Sequence, residues 1–275
     1  MKALAGIKIV NLAANLPGPA AAQRLCRMGA EVVKVEAPSG DPMESYHAGW
    51  YSEMADGQTL VRLDLKSDQG RAELDNLLGS ADLLISASRP AAMERLGLGW
   101  AALHQKFPRL CQVAIIGYPA PRENEAGHDL TYQASLGLLT PPHMPRTLLA
   151  DMAGAEMAVS SALALLLHRE RGGEAGYAEV ALSEAAASLA EPLRYGCTEP
   201  GALLGGGIPE YNIYQTSDGW VAVAALEAHF KQRLEKALRI SSAEEYRAVF
   251  FGQSSSYWQE WGQQQDVPIE TVRGS

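Results

Sequence analysis

The sequence predicts an α/β protein: a large domain built on a mostly parallel sheet, followed by a smaller α+β domain. Three observations predict it. Short β-branched runs alternate with helix-period segments from the N-terminus to about residue 195. A stretch rich in Gly and Pro, residues 197–207, interrupts that alternation. Beyond it, two apolar runs flank Ser217-Asp218-Gly219 as a hairpin, and helical segments follow. Strands alternating with helices favour a parallel sheet covered on both faces.

Each element has its own reason. Ile7 to Leu12 is a short apolar strand, and Asn15-Leu16-Pro17-Gly18-Pro19 turns the chain into a helix with Leu25 and Met28 on one face. Gly29 ends that helix, and Glu31 to Glu36 is rich in Val, as strands are. Leu60 to Leu65 reads as a strand, and Ser67 offers an N-cap hydroxyl to the helix after it. Asp82 to Ser86 and Leu110 to Ile116 are strands, separated by helical segments through Phe107. Asp151 to Arg171 is a long Ala/Leu helix closed by Gly172-Gly173; Tyr177 to Leu182 is a strand, and Ser183 opens another helix. Residues 197–207 read as a mobile loop. Tyr211 to Thr216 and Trp220 to Ala225 form the hairpin, with helices from Glu227 to the end. The expected domains are residues 1–195 and 196–275.

Composition narrows the function. A formal charge of -9 and a pI near 5.2 disfavour bulk nucleic-acid binding, which needs a basic face. A small anionic ligand needs only a few local Arg and Lys residues. Cys26, Cys111 and Cys197 are too few and too scattered for a disulfide framework or a metal motif, so no metal is expected; the first two read as core fillers. No signal-like segment opens the chain, and the apolar stretch after Ala158 is interrupted at His168, Arg169 and Glu170 before it can span a bilayer. A cytoplasmic protein with no membrane partner is the expectation.

Three ionisable residues stand where a strand or loop hands over to a helix: His128 in Gly127-His128-Asp129, Asp151 in Ala150-Asp151-Met152, and Glu227 in Leu226-Glu227-Ala228. Two acid/base groups facing one carbon can remove a proton from one side and return it on the other. Histidine, with a reference pKa of ~6.5, suits one role. An aspartate suits the other only if burial raises its pKa. Each residue also has a plain structural reading. His128 is a polar helix-start residue, Asp151 an N-cap, and Glu227 a first-turn carboxylate favoured by the helix dipole. Met152, Met157 and Tyr132 suggest an apolar lining and equally suit an ordinary core.

A series of segments carries a family resemblance. Gly18-Pro19 is followed by Met28 to Pro38, by Leu63-Asp64-Leu65-Lys66 with Gly70, by Ser88-Arg89-Pro90, and by Met93 to Gly99. Gly205-Gly206-Gly207 with Pro209, Tyr211, Tyr214 and Asp218-Gly219 completes the order. In this series the chain resembles the class III CoA-transferase family (the CaiB/BaiF group), and within it the α-methylacyl-CoA racemases. The resemblance implies a Rossmann-like large domain, a small domain and an interlocked homodimer. It implies an acyl-CoA substrate, with coenzyme A entering as part of the thioester and no covalently bound cofactor. It makes His128, oriented by Glu227, and Asp151 the opposed acid/base pair. It sets Lys34 and Arg89 at coenzyme A phosphates or beside them; their plain readings are a solvated lysine and a surface arginine. Gly205, Gly206 and Gly207 match a loop that covers the thioester in transferase relatives, or else form a simple connection.

The same resemblance leaves a second activity open. In the CoA-transferases of the group the aspartate matching Asp151 is a nucleophile, whereas the Gly-His-Asp motif and Glu227 favour racemisation. A non-catalytic acyl-CoA-binding protein is a third reading. Two departures motivate it. Ala55-Asp56-Gly57-Gln58-Thr59 stands where relatives carry a basic stretch, and the sequence stops soon after Asp266 to Val272, where relatives continue, so a reduced small domain is expected.

Overall fold

A computed structural model describes residues 2–274. The chain divides into two compact units, Met1–Ala190 and Glu191–Ser275. The division falls a few residues before the expected 195/196 boundary, because the short helix Glu191–Arg194 belongs with the second unit.

The first unit runs β1 (Lys8–Asn11), α1 (Pro17–Arg27), β2 (Glu31–Glu36), α2 (Pro42–Tyr46), α3 (Ala48–Ala55), β3 (Thr59–Arg62), α4 (Asp68–Gly79), β4 (Leu83–Ser86), α5 (Pro90–Arg95), α6 (Trp100–Lys106), β5 (Cys111–Ile116), α7 (Asp129–Ser135), α8 (Leu149–Glu170), β6 (Tyr177–Ala181) and α9 (Leu182–Leu189). The sheet order is β3-β2-β1-β4-β5-β6, and every neighbouring pair is parallel. That is the doubly wound Rossmann order, in which the chain's direction of travel reverses between β1 and β4.

The apolar runs of β4 and β5 are buried along their whole length, as a sheet covered on both faces requires. One face packs under α1 and α8, joining Ile9, Leu25, Ile85, Val113, Ala158 and Ala162. The other packs under α4, α5 and α6, joining Val10, Leu74, Leu84, Met93, Leu98 and Leu103. Ser67 caps α4 as expected, its hydroxyl accepting the Gly70 N–H at 3.0 Å. Helices α2 and α3 were not legible in the sequence. They are held by local capping, with Asp41 Oδ1 accepting from Met43 N at 2.9 Å and His47 Nδ1 from Trp50 N at 3.0 Å.

Helix α8 has the length and apolar composition to cross a bilayer, yet it carries a buried ion pair near its end. Arg169 Nη2 lies 2.8 Å from Asp82 Oδ1, while Nη1 donates to the carbonyls of Arg109 at 3.0 Å and Asp82 at 3.3 Å. Asp82 Oδ2 in turn accepts the Lys8 N–H at 2.8 Å. This network ties α8 to the amino ends of β1, β4 and β5.

The second unit begins with α10 (Glu191–Arg194) and continues through a π-type turn (Leu203–Gly207), β7 (Tyr211–Gln215), β8 (Trp220–Ala224), α11 (Ala228–Leu238), α12 (Ala243–Phe251), α13 (Ser255–Gln265) and β9 (Ile269–Thr271). Its antiparallel sheet, order β7-β8-β9, packs Tyr214, Val221, Val223 and Ile269 against Leu234, Tyr246, Phe250 and Trp258. Strand β9 replaces the helix expected at the end; three residues after Pro268 are too short to show a period. The Gly-rich segment is not an open loop. Leu204 N donates to Cys197 O at 3.1 Å, Gly207 N to Ala202 O at 2.8 Å, and Asn212 Nδ2 to Gly206 O at 2.9 Å. Gly206, at φ +83, closes this turn in a conformation other residues resist.

Replacing Arg169 by Met keeps most of the side-chain volume but leaves Asp82 and two carbonyls without their partner. Arg169→Met is expected to lower unfolding free energy by about 2–4 kcal/mol, read as a drop in the urea midpoint at unchanged slope.

Candidate active site

The carboxyl ends of β1, β4 and β5 open onto a cavity of about 340 Å³, completed by the first turns of α7 and α8. Arg89, His128, Tyr132 and Asp151 line it with Leu148 and Leu182. A second cavity of about 260 Å³ adjoins it at Ala14 and Ser88 and extends over the ends of β2 and β3, past Glu36, Gly40 and Leu63. Crevices at the carboxyl edge, where strand order reverses, are where doubly wound folds hold ligands.

His128 is the N-cap residue of α7, as its plain reading anticipated. Its N–H donates to Thr131 Oγ1 at 3.1 Å, and the Thr131 hydroxyl donates back to His128 O at 2.8 Å, which fixes the backbone from which the imidazole projects.

Asp151 is not the N-cap of α8. The helix starts two residues earlier, at Leu149, and Leu148 in the cap position makes no side-chain bond. The capping acceptor comes from elsewhere. Asp129, buried at 4% exposure, accepts from Ala150 N at 2.7 Å and Asp151 N at 3.2 Å through Oδ1. Its Oδ2 accepts from Gln133 Nε2 at 2.6 Å. Relieved of capping, Asp151 contributes to the cavity wall. Burial first, and then the nearby Asp129 charge, push its carboxyl up to about 6, while His128 pulls the other way.

Tyr132 is buried at 1% exposure, and its phenol is pushed up to about 12 by burial first and by the neighbouring Tyr118 and Asp151 next. It therefore stays protonated at neutral pH. Its hydroxyl end fits against Gly117 and Gly127, where an added Cβ would come within 2.5 and 2.6 Å of the phenol oxygen. Arg89, exposed just before α5, has no ion-pair partner among the described residues, so its charge is free for an anionic ligand.

Lys34 differs from both of its expected settings. It is buried at 2% exposure, with its ammonium 2.7 Å from Asp41 Oδ2, 3.0 Å from Glu36 Oε1 and over the Tyr51 ring at 4.5 Å. It is neither a solvated lysine nor open to a phosphate, because two carboxylates enclose its charge. Asp41 carries the consequence outward: its Oδ1 accepts the N–H of Asn15, at φ +66, and so sets the β1–α1 loop beside both cavities.

Glu227 lies in the second unit, exposed at the N-cap of α11 without a side-chain capping bond. Gly205, Gly206 and Gly207 also lie there, within the π-type turn. The first unit thus gathers His128, Asp151 and Arg89 at one cavity and places Lys34 beneath the neighbouring loop, while Glu227 and the three glycines belong to the second unit. Asp129 and Gly117 are the residues that sequence reasoning passed over. Asp129 was visible as the third member of Gly-His-Asp; nothing in the sequence ties it to Ala150. Met157 is exposed and Met152 packs on the core, so Tyr132 alone of the three suggested lining residues is in the cavity. Among the described residues no three His, Cys, Asp or Glu side chains group as a metal site.

Comparison with known proteins places the chain among relatives of known family. The α-methylacyl-CoA racemase of Homo sapiens is 32% identical over 260 residues, covering 88% of this chain and 66% of that protein. A probable fatty acyl-CoA transferase of Mycobacterium tuberculosis, Rv3272, is 33% identical over 206 residues, covering 68% of this chain and 52% of its own. The chain therefore spans between about half and two thirds of the length of these relatives. The crystal structure of the Mycobacterium tuberculosis hypothetical protein Rv3272 superposes with a TM-score of 0.85 at 26% identity, over 99% of this chain and 84% of that one. The model of CoA-transferase family III matches residues 4–273, and the chain belongs to that family.

Proposed function

We propose that the cavity of the first unit moves a proton at the α-carbon of an acyl-CoA thioester, as a 2-methylacyl-CoA racemase or epimerase does. The observation that carries this reading is Asp151: a half-buried carboxylic acid beside a second carboxylate, with its pKa pushed up to about 6, on the same cavity as His128. An acid/base group works best when its pKa lies near the working pH. The α-hydrogen next to a thioester carbonyl is weakly acidic. In one direction the Asp151 carboxylate takes that proton to give an enolate, and the imidazolium of His128 returns a proton to the opposite face. The reverse direction exchanges the roles. Arg89 is suited to a phosphate of coenzyme A, which it can grip with two parallel hydrogen bonds.

A second reading is coenzyme A transfer. The Asp151 carboxylate would attack the thioester carbonyl and expel the coenzyme A thiolate, leaving a mixed anhydride that an acceptor carboxylate then resolves. The relative named as a probable fatty acyl-CoA transferase supports it. Incubating the protein with a branched 2-methylacyl-CoA in deuterated water separates the readings. Proton transfer gives α-deuteration without any added acid, whereas transfer needs a second carboxylic acid to give product. Coenzyme A binding with neither reaction points to a non-catalytic homologue.

His128→Ala is expected to abolish α-deuteration of one enantiomer by about 100-fold or more while leaving the thermal transition in place. Wild-type rates with both enantiomers would end the assignment. Exchange that uses Asp151 as base should rise as pH passes through about 6, the value at which its carboxyl ionises.

The same shift has a stability consequence. An aspartate titrates at 3.8 when unperturbed and near 6 here, so the folded protein holds a proton that the unfolded chain has released. Stability is therefore fully present below 3.8 and falls as pH rises through that window. Asp151→Asn, which cannot ionise, is expected to be inactive yet more stable than the parent by about 1–3 kcal/mol above pH ~7, with the gain vanishing near pH ~4. Paired thermal melts at the two pH values measure it.

A further inference from the structure

The proton-transfer chemistry uses His128 and Asp151 and asks nothing of Asp129, which follows His128 in the chain and bonds to the Asp151 backbone. Yet Asp129, buried at 4% exposure and off the cavity lining, bonds to the backbone of a residue that lines the cavity. It is the first residue of α7, directly after His128, and it reaches across to the first turn of α8, where it receives the N–H groups of Ala150 and Asp151. Its other oxygen is held by Gln133 Nε2, which also donates to Thr147 O at 3.3 Å, just before α8. Gln133 is itself buried at 3% exposure. Two buried side chains of α7 therefore grip the start of α8 from adjacent positions.

We propose that Asp129 is a positioning residue, a charged clamp that joins the first turns of α7 and α8 and holds His128 and Asp151 on one cavity. This rests on the proton-transfer reading. Capping alone does not explain an aspartate here. Asn accepts the same backbone N–H bonds and caps helices about as well, and it would not set a second negative charge beside the carboxylate that has to exchange a proton. The charge is the part that capping leaves unexplained, and its neighbours agree with a role for it. The other titratable groups lining the cavity with Asp151 are His128 at the N-cap of α7, Tyr132 from α7, Arg89 from the β4–α5 turn, Glu125 from the loop before α7 and Tyr46 from α2; of these His128 acts on the Asp151 charge. Glu184 on α9 is exposed and off the lining. Asp129 supplies the largest like-charge influence on Asp151, second only to burial.

Asp129→Asn keeps an oxygen for Ala150 and Asp151 but removes the charge. The expected result is that the rise of α-hydrogen exchange with pH moves down by about half to one pH unit, with a lowered thermal transition because the new amide Nδ2 meets Gln133 Nε2 where the carboxylate accepted its bond. In the same background, Asp151→Asn should stabilise the protein less than it does in the parent. An unmoved pH profile with an unchanged Asp151→Asn increment would overturn the proposal, since a helix cap that served only its N–H groups would behave so. Gln133→Ala tests the clamp if Asp129→Asn does not fold. It leaves the Asp129 charge and its α8 contacts in place and frees the α7 side; kcat should fall several-fold at constant KM, and an unchanged kcat would refute the clamp. The melting increments need no turnover. If no variant and not the parent exchanges the α-hydrogen, the proton-transfer reading falls, while the increments still decide whether Asp129 acts on Asp151.

Discussion

The reversal of strand order between β1 and β4 is the constraint on which the first unit depends. The chain runs outward through β2 and β3 on one side and through β4, β5 and β6 on the other, so the loops after β1 and β4 diverge. A crevice at the carboxyl edge follows from topology before any side chain is chosen. What the sequence adds is control of the loops. The Ala13 N–H is held by Asn11 Oδ1 at 2.9 Å, and the Asn15 N–H by Asp41 Oδ1 at 3.0 Å, so the turn after β1 is tied both to its own strand and to the segment after β2. The buried Lys34 ion pairs hold Asp41 in turn. A fixed rim of this kind suits a site that must keep two side chains in register across a small volume.

The unit treats its buried carboxylates in two opposite ways, and the contrast separates structure from chemistry. Glu36 and Asp41 share a lysine between them, and each ion has a partner at salt-bridge distance. A buried charge so paired is costly to break. Among the described residues Asp151 has no cation at salt-bridge distance, and the pull of His128 is outweighed. Its nearest carboxylate neighbour is Asp129, which adds repulsion to the burial already opposing ionisation. Stability alone would disfavour that pairing. A group held near its midpoint at ordinary pH is what proton exchange requires, and perturbations of this kind gather at functional sites.

The fold was largely legible because its central strands, β4 and β5, are fully buried. Glu31 to Glu36 matches β2 residue for residue, and the runs at 82–86 and 110–116 lie within one residue of β4 and β5. Apolar runs bounded by Gly or by capping residues are the strongest signal a parallel sheet leaves. Elements held by capping or by single contacts were not legible. Helices α2 and α3 are capped by Asp41 and His47 and pack Met43, Trp50, Tyr51 and Met54 on the core over too few turns to show a period, and β9 is only three residues long. The Gly-rich segment looked mobile because glycine content reports conformational freedom. It says nothing of hydrogen bonds such as Asn212 to Gly206, which close the turn. At the site, the sequence located His128, Asp151 and Arg89 at element boundaries. The burial of Lys34 could not be read, because Lys34-Val35-Glu36 in a strand gives no sign that Asp41 folds back over it.

The displaced cap of α8 shows why a local rule failed at Asp151. An aspartate before a long apolar helix is read as an N-cap because its oxygen satisfies an otherwise unpaired N–H at little cost. Here that need is met from another helix, 21 residues earlier in the chain for Ala150 and 22 for Asp151. The helix can then begin at Leu149, and Asp151 moves from the capping position into the first turn. There it loses the backbone hydrogen bonds that would have held it ionised and faces the cavity instead. A sequence that keeps a simple cap available and fills it from a distance departs from local consistency, and such departures concentrate where function sets the side chain's place. On that argument the separation of capping from acid/base chemistry, divided between Asp129 and Asp151, is what makes the start of α8 part of a site rather than only the start of a helix.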